Sequence, residues 1–304
     1  MPTKIAIIGT GSVGSTTAYA CLMNNFAAEI MLVDINELDC KGEALDLSDA
    51  LFFSKTSKIS QATLKQVGQA DIIIITAGKA QKKGQPRSEL LHINQQIIKQ
   101  IIDDMTPINT DAILIMVTNP VDTLTLYAQQ IAKLPKKQVF GSGTLLDSLR
   151  LRNLIAEKTG IAEQSIHAYV LGEHGDSQVA ALSSATIAGS PLTNFIEKSE
   201  LNAIAKKTQE KAYEIIQYKN YTCYGIASCL AATCENIIFN QKRIMPVSCY
   251  IQEYDICMSV PAIIDAQGIK SVLNVPLDSQ ENKMLQDSIS KLKEMKHNLC
   301  LKIS

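Results

Sequence analysis

The segment 171–176 reads Leu-Gly-Glu-His-Gly-Asp and places one histidine in a glycine-flanked turn. An imidazole titrates near neutral pH, so His174 can give a proton to a small molecule or take one from it. Asp147 lies upstream in an apolar helical pattern, and a buried carboxylate beside an imidazole raises its pKa and fixes its tautomer. These two residues predict proton-coupled redox chemistry, with His174 as acid and base and Asp147 as its orienting partner.

An arginine close to this pair indicates a substrate that carries a carboxylate. Helical spacing puts Asp147 and Arg150 on one face, three residues apart. The guanidinium of Arg150 could then bind a substrate carboxylate through two nitrogens, which a lysine cannot do. Taken alone, the same residues also fit a surface ion pair and a structural histidine in a turn.

Two segments that follow predicted strands carry further candidates. The segment 77–87 is polar, contains glycine and lacks a hydrophobic period. We predict that it closes over the substrate as a lid and brings the charge of Arg87 to the carbonyl oxygen; the alternative is an ordinary solvated loop. Asn119 follows another strand at the carboxyl edge of the sheet, where it could bind the substrate oxygen or cap a helix.

The N-terminal glycines predict a dinucleotide site. Gly9, Gly11 and Gly14 follow an apolar strand, where they permit a tight turn, close approach of a pyrophosphate and close helix packing, respectively. Asp34 ends the next strand, where its carboxylate could accept hydrogen bonds from both ribose hydroxyls or merely cap a helix. The two residues that follow it include no arginine to bind a 2'-phosphate, so NAD is favoured over NADP.

The elements that must position these groups alternate through the first half of the chain. Short apolar runs predict buried parallel strands at 4–8, 29–34, 71–76, 112–118 and 138–141. Helical periods predict helices at 11–25, 36–51, 88–104 and 120–132. We therefore predict an α/β fold, with a Rossmann doubly wound parallel sheet in an NAD-binding domain at 1–141. An α+β substrate domain follows at 142–304, with a helix at 143–157, a strand at 165–171, a long helix at 207–240, two strands within 247–264 and a helix from 279.

Composition narrows the range of partners. The 304 residues are 46% hydrophobic with a formal charge of -1, which supports a full core and leaves no basic field for nucleic acid or anionic lipid. The eight cysteines lack metal-ligand spacing, so we expect reduced thiols and no metal site. The first apolar run is too short for a signal sequence or a membrane span, and we expect a cytoplasmic protein.

Together these motifs resemble the lactate/malate dehydrogenase family, and within it the branch that acts on L-lactate. The resemblance covers nearly the whole chain and is carried by motifs in order: Gly9 to Gly14, Val33-Asp34, Thr76 to Gly78, Gln81 to Arg87, Thr118 to Asp122, Gly143 to Ser148, Gly172 to Asp176, and Tyr221 to Ala227. It implies an NAD-dependent enzyme that reversibly reduces pyruvate to L-lactate.

The resemblance also implies roles for single residues. His174 would be the acid and base, Asp147 its partner and Arg87 the arginine of the lid. Substrate contacts are implied for Gln81, Arg87, Asn119, Arg150 and Thr222. Cofactor contacts are implied for Gly9, Gly11, Ser12, Val13, Gly14, Asp34, Thr76, Ala77, Gly78, Asn119 and Ile226.

The substrate side chain depends on two of these positions. Malate enzymes of the family have an arginine where this chain has Gln81, because oxaloacetate carries a second carboxylate. Gln81 and Thr222 therefore favour pyruvate over oxaloacetate. L-2-hydroxyisocaproate dehydrogenases, which act on bulkier acids, resemble the same framework and stay open as an alternative. A non-enzymatic NAD-binding protein is disfavoured, because the proton donor, its partner and both arginines are present.

Two further residues resemble a regulatory site. On a helix Arg152 points away from Arg150, and in a continuous strand His167 would face away from His174. The pair resembles the fructose 1,6-bisphosphate site of allosteric bacterial members, although both residue types are also common on surfaces. In those members the site lies across a two-fold interface. The resemblance implies a homotetramer, with a dimer as the alternative.

Overall fold

Strands and helices alternate through the first half of the chain. The computed structural model describes residues 3–26, 28–54, 58–79 and 87–299. Its first six strands are β1 (Thr3–Ile8), β2 (Ala28–Val33), β3 (Lys58–Gln61), β4 (Ile72–Ile75), β5 (Ile113–Met116) and β6 (Val139–Gly141). The helices among them are α1 (Ser12–Met23), α2 (Glu37–Asp49), α3 (Leu64–Val67), α4 (Arg87–Met105) and α5 (Val121–Ile131).

These six strands pair in parallel in the order β3-β2-β1-β4-β5-β6. The order reverses between β1 and β4, which makes the carboxyl ends of these two strands the switch point of a doubly wound sheet. The predicted α/β class and the Rossmann sheet are therefore confirmed. Strand β3 was not predicted, because it is short and mostly polar at the edge of the sheet.

The sheet is buried on both faces, as its continuous apolar runs require. Side chains of a strand alternate between faces, so Ile72 and Ile74 pack in one core cluster while Ile73 and Ile75 pack in another on the opposite side. All four are at most 1% exposed. Burying each such side chain contributes about 1.5–3 kcal/mol, which holds the strand ends in fixed positions.

The second half begins with helix α6 (Leu145–Thr159). Short strands follow: β7 (Ile166–His167), β8 (Val170–Leu171), β9 (Val179–Ala180), β10 (Thr186–Ile187) and β11 (Ser190–Pro191). The chain continues with α7 (Lys198–Lys219), α8 (Tyr224–Ile238), β12 (Ile244–Ile251), β13 (Ile256–Asp265), β14 (Gly268–Val272) and α9 (Ser279–His297). No helix within the described ranges combines the length and the apolar character needed to cross a membrane.

The large sheet continues into this half. Strands β12, β13 and β14 are antiparallel and extend it to nine strands, with Ser248 of β12 pairing with Gly141 of β6. Helix α8 packs against α1, and α6 packs against α7 and α8. The half that carries His174 is thus joined to the parallel sheet through shared strands as well as through helix packing.

Two predicted elements were wrong. The helix predicted at 207–240 is two helices, because Asn220 adopts a left-handed conformation with φ +67° and ends α7. The apolar period continues beyond this break, so the sequence pattern hid it. The strand predicted at 165–171 is interrupted after His167: β7 pairs with β10, whereas β8 pairs with β9 in a different sheet.

Candidate active site

His174 lies in the turn that follows β8. Gly172 in this turn has φ +85°, a conformation that glycine adopts without steric cost. Its backbone N–H and C=O both pair with Ser259 of β13 at 2.9 Å, and the N–H of Glu173 donates to Ser288 Oγ of α9 at 2.8 Å. The main chain on the N-terminal side of His174 is therefore fixed by two other elements before its side chain makes any contact.

The side chain of His174 meets a buried carboxylate. Nδ1 of His174 lies 2.6 Å from Oδ2 of Asp147, and Nη1 of Arg150 donates to Oδ1 of the same carboxylate at 3.1 Å. The side chains of Asp147 and Arg150 are 4% and 12% exposed. With Nδ1 held by Asp147, the ring nitrogen Nε2 has no partner among the described residues.

This contact changes the pKa of both partners. Burial opposes the imidazolium of His174, but the charge of Asp147 and the hydrogen bond to it outweigh burial and raise the pKa of His174 above 6.5. Burial likewise opposes the Asp147 carboxylate, yet His174 and Arg150 outweigh it and lower the pKa of Asp147 below 3.8. The imidazolium and the carboxylate are thus the favoured forms of the pair.

The glycine turn between β1 and α1 has the shape that a pyrophosphate requires. Gly9 has φ +98°, and a Cβ at Gly14 would lie 1.8 Å from the carbonyl oxygen of Gly9. Nothing lies within 4 Å of the corresponding position at Gly11, which is the N-cap of α1. Ser12 and Val13 begin the helix, so their N–H groups and the helix dipole face this open side.

The loop after β4 is tied to the same turn. Thr76 donates its hydroxyl to the carbonyl of Gly9 at 2.7 Å, and Thr118 at the end of β5 donates to the carbonyl of Ala77 at 2.7 Å. A Cβ at Gly78 would lie 2.3 Å from the Thr118 methyl group. The segments predicted to contact the cofactor therefore meet at the switch point of the sheet.

Asp34 stands at the end of β2. Its two carboxylate oxygens accept the backbone N–H groups of Thr10 at 2.7 Å and Asn36 at 3.0 Å. Each oxygen retains acceptor capacity for a further donor. The carboxylate is therefore held beside the glycine turn.

The structure gives fewer contacts for the other predicted site residues. Asn119 is exposed after β5, and its carbonyl oxygen accepts Asn94 Nδ2 at 2.7 Å. Thr222 is half-buried in the connection from α7 to α8, and Ile226 is half-buried on α8 against the core. Gln81 and the side chain of Arg87 lie outside the described residues, so their predicted roles in the lid stay predictions.

Three buried polar residues around this site were not predicted. Asn94 joins the loops after β4 and β5, because it also accepts the N–H of Lys79 at 2.7 Å. Asp122 accepts the N–H of His174 at 2.8 Å, and Glu173 lies 2.7 Å from the ammonium of Lys291 on α9. The signal for Asn94 was a polar residue on the apolar stripe of α4. An acidic residue in the first turn of a helix is favoured by the helix dipole, so the position of Asp122 in the sequence did not indicate a role in the site.

Arg152 and His167 lie together away from this site. Nε of Arg152 donates to the carbonyl of Ala168 at 3.0 Å, and the guanidinium lies over the ring of Tyr169. His167, which precedes Ala168, is exposed. Arg152 is half-buried, and its guanidinium therefore lies against the segment that directly follows His167.

Comparison with known proteins gives matches over both halves of the chain. Residues 3–141 match the family model described as lactate/malate dehydrogenase, NAD binding domain. Residues 144–300 match the model described as lactate/malate dehydrogenase, alpha/beta C-terminal domain.

Individual relatives match along almost their whole length. L-lactate dehydrogenase A of Rhizopus oryzae is 42% identical over 97% of this chain and 92% of its own. L-lactate dehydrogenase of Acetivibrio thermocellus is 39% identical over 96% of each chain. The crystal structure of the minor L-lactate dehydrogenase from Enterococcus mundtii is similar with a TM-score of 0.94, 37% identity and 99% coverage of both chains.

The contact between His174 and Asp147 predicts a pH-dependent stability. The raised pKa of His174 stabilises the fold below pH 6.5, and this contribution is lost as the pH rises through the folded pKa. The lowered pKa of Asp147 stabilises the fold above pH 3.8, and this contribution is lost as the pH falls through the folded pKa. In a double-mutant cycle with His174→Asn and Asp147→Asn, we expect a coupling free energy of about 1.5–3 kcal/mol near pH 5.5 and much less near pH 9.5. Urea unfolding of the wild type, the two single variants and the double variant measures this coupling. Equal coupling at both pH values would contradict a charged contact between His174 and Asp147.

Proposed function

The chain belongs to the lactate/malate dehydrogenase family and is an NAD-dependent oxidoreductase of 2-hydroxy acids, and we propose that it interconverts pyruvate and L-lactate. One observation carries the proposal: His174 and Arg150 contact the same buried carboxylate of Asp147. A proton donor and a carboxylate-binding cation are thereby held side by side. The curated relatives named L-lactate dehydrogenase support pyruvate and L-lactate as the substrate pair.

The residues at the switch point fit NAD. The open side of Gly11 and the first N–H groups of α1 suit a pyrophosphate, and Asp34 has acceptor capacity left for ribose hydroxyls. Its negative charge disfavours a 2'-phosphate at the same place. When bound, NADH supplies the hydride that reduces the 2-oxo carbon. We also propose that residues 1–141 form the NAD-binding domain and 142–304 the substrate domain, in agreement with the two matched ranges.

The protein's own residues then handle the substrate and the proton. Arg150 binds the substrate carboxylate, and His174 gives its Nε2 proton to the carbonyl oxygen as negative charge develops there. Asp147 keeps the imidazole in the tautomer that presents Nε2 and stabilises the imidazolium beforehand. In the reverse direction the neutral imidazole accepts the hydroxyl proton of L-lactate. Arg87 and Asn119 are proposed to contact the same oxygen, and Thr222 and Ile226 to border the site.

Assembly and compartment are part of the proposal. Several large apolar side chains near the start of α8 and along α2 and the turn after it are well exposed: Leu45, Phe52, Phe53 and Tyr224. Exposed apolar side chains of this size support association of copies of the chain, and we propose a homotetramer. The seven cysteines in the described ranges are buried free thiols, which supports a reducing compartment such as the cytoplasm.

Arg152 and His167 support an effector site for fructose 1,6-bisphosphate. A guanidinium and an imidazole at one surface can bind a phosphate group, and their counterparts in a second copy could bind the other phosphate. A bisphosphate would then favour one arrangement of the subunits.

Proton transfer by His174 is tested by His174→Asn. We expect kcat for pyruvate reduction to fall by about 10²–10⁴-fold, because the variant keeps a polar side chain but loses the group that can gain and lose a proton near neutral pH. NADH binding, followed by fluorescence titration, should be unchanged. His297→Asn, at an exposed histidine on α9, is the matched control and should retain full turnover. Full turnover by His174→Asn would remove the proposed role.

Substrate choice is tested by following NADH oxidation with pyruvate, oxaloacetate and 4-methyl-2-oxopentanoate. We expect kcat/KM to be highest for pyruvate by at least about tenfold. Gln81→Arg should shift the preference toward oxaloacetate, because the added charge can balance the second carboxylate. Gln85→Arg adds the same charge four residues later and should shift it less. A wild-type preference for either other acid would assign the enzyme to malate or to 2-hydroxyisocaproate instead.

The effector site is tested by adding fructose 1,6-bisphosphate at low protein concentration. We expect KM for pyruvate to fall about fivefold or more, and Arg152→Gln to abolish this effect while leaving kcat at saturating pyruvate intact. Arg243→Gln, at an exposed arginine that pairs with Glu235, should respond like the wild type. An unchanged KM in the wild-type enzyme rules the effector out.

A further inference from the structure

A second buried carboxylate contacts the main chain of the turn of residues 172–175 that carries His174, which we call the catalytic turn. Asp122, the second residue of α5, is 2% exposed, and its Oδ2 accepts the backbone N–H of His174 at 2.8 Å. Helix α5 follows directly from the Asn119 loop of the parallel sheet, whereas His174 belongs to the other half of the chain. Asp122 thus connects the cofactor side of the protein to the main chain of the proton donor.

The other oxygen of Asp122 is fixed by the β12–β13 hairpin. Ser259 Oγ lies 3.4 Å from Oδ1 of Asp122 and accepts the N–H of Thr144 at 3.1 Å. Ser259 is the residue whose backbone also pairs with Gly172 in the catalytic turn. The carboxylate therefore has a defined orientation, since the catalytic turn donates to one of its oxygens and β13 to the other.

Two of the buried carboxylates around His174 are paired with a cation. Asp147 is balanced by Arg150, and Glu173 is balanced by Lys291 at 2.7 Å. Asp122 has no lysine or arginine partner within the described ranges, so its charge acts on His174 without compensation.

The other titratable groups near His174 do not compete with the charge of Asp122. Burial raises the pKa of Asp122 to about 6, whereas its charge helps to raise the pKa of His174. Burial raises the thiol pKa of Cys229 and Cys249 to about 12, so both stay neutral near physiological pH. Asp176, two residues after His174, is exposed and accepts the hydroxyl of Tyr213 at 2.7 Å.

We propose that Asp122 is a positioning residue, whose hydrogen bond fixes the main chain of His174 and whose uncompensated negative charge favours the imidazolium form. The inference rests on the proposed role of His174 as acid and base. Asp147 orients the ring and Asp122 holds the backbone, so the imidazole is stabilised as a cation from two sides. Both effects extend the pH range over which the enzyme can donate a proton to its substrate.

The substitution Asp122→Asn removes the charge of this side chain and keeps its shape. The amide oxygen can still accept the N–H of His174, so the fold and the position of the turn should persist while the charge is lost. Histidine-selective ¹⁵N labelling without substrate gives the titration midpoint of His174, with the resonance assigned from His174→Asn. We expect the midpoint to fall by at least about half a pH unit. The basic limb of kcat/KM for pyruvate should move in the same direction.

Asp176→Asn is the matched control, because it removes one negative charge two residues from His174 on the solvent side. Water screens that charge, so the His174 midpoint should stay close to the wild-type value. An unchanged midpoint in Asp122→Asn, or equal shifts in both variants, would overturn the proposal. The titration needs no turnover, so it stays decisive for Asp122 even if His174→Asn proves fully active and the proposed role of His174 fails.

The wild-type protein provides a second measurement should Asp122→Asn not fold. Protonation of Asp122 weakens its acceptance of the His174 N–H, so the amide proton resonance of His174 should follow two midpoints, one of them near 6. An amide resonance that follows the imidazole midpoint alone would contradict the hydrogen bond.

Discussion

The buried carboxylate of Asp147 is the constraint on which the site depends. A carboxylate that is 4% exposed cannot remain ionised without partners, and the two that it has are the imidazole of His174 and the guanidinium of Arg150. Its two oxygens therefore hold the imidazole of His174, the proposed proton donor, beside the guanidinium of Arg150, the proposed anion-binding group. Removal of either cation would leave the other to balance the charge of Asp147 alone.

This arrangement needs a scaffold that does not move between the two halves of the chain. The parallel strands β1, β4 and β5 end beside the glycine turn between β1 and α1. The antiparallel strands β12 and β13 continue the same sheet to the turn that carries His174. Ser259 pairs with Gly172 and approaches Asp122, so one strand of the sheet fixes both the turn and the carboxylate beneath it. The glycine turn after β1 and the turn that carries His174 are consequently both attached to one sheet.

What could be predicted from the sequence was local or periodic. Asp147 and Arg150 are three residues apart on one helix, and Gly9, Gly14 and Asp34 lie in a short βαβ unit, so spacing alone brings them together. Contacts between distant segments left no such trace: Lys291 meets Glu173 across 118 residues, and Asp122 meets His174 across 52. The break at Asn220 was hidden for a different reason, because the apolar period of the helices continues on both sides of it.

Helix α9 has a consequence for the order in which the protein matures. Its Ser288 accepts the N–H of Glu173, and its Lys291 balances the Glu173 carboxylate, so the turn that carries the imidazole is braced by a helix near the carboxyl end of the sequence. A nascent chain leaves the ribosome amino end first, and the parallel sheet can fold during synthesis. The catalytic turn cannot reach its final geometry until α9 has emerged and docked, so the turn that carries His174 is completed by a segment more than a hundred residues later in the chain.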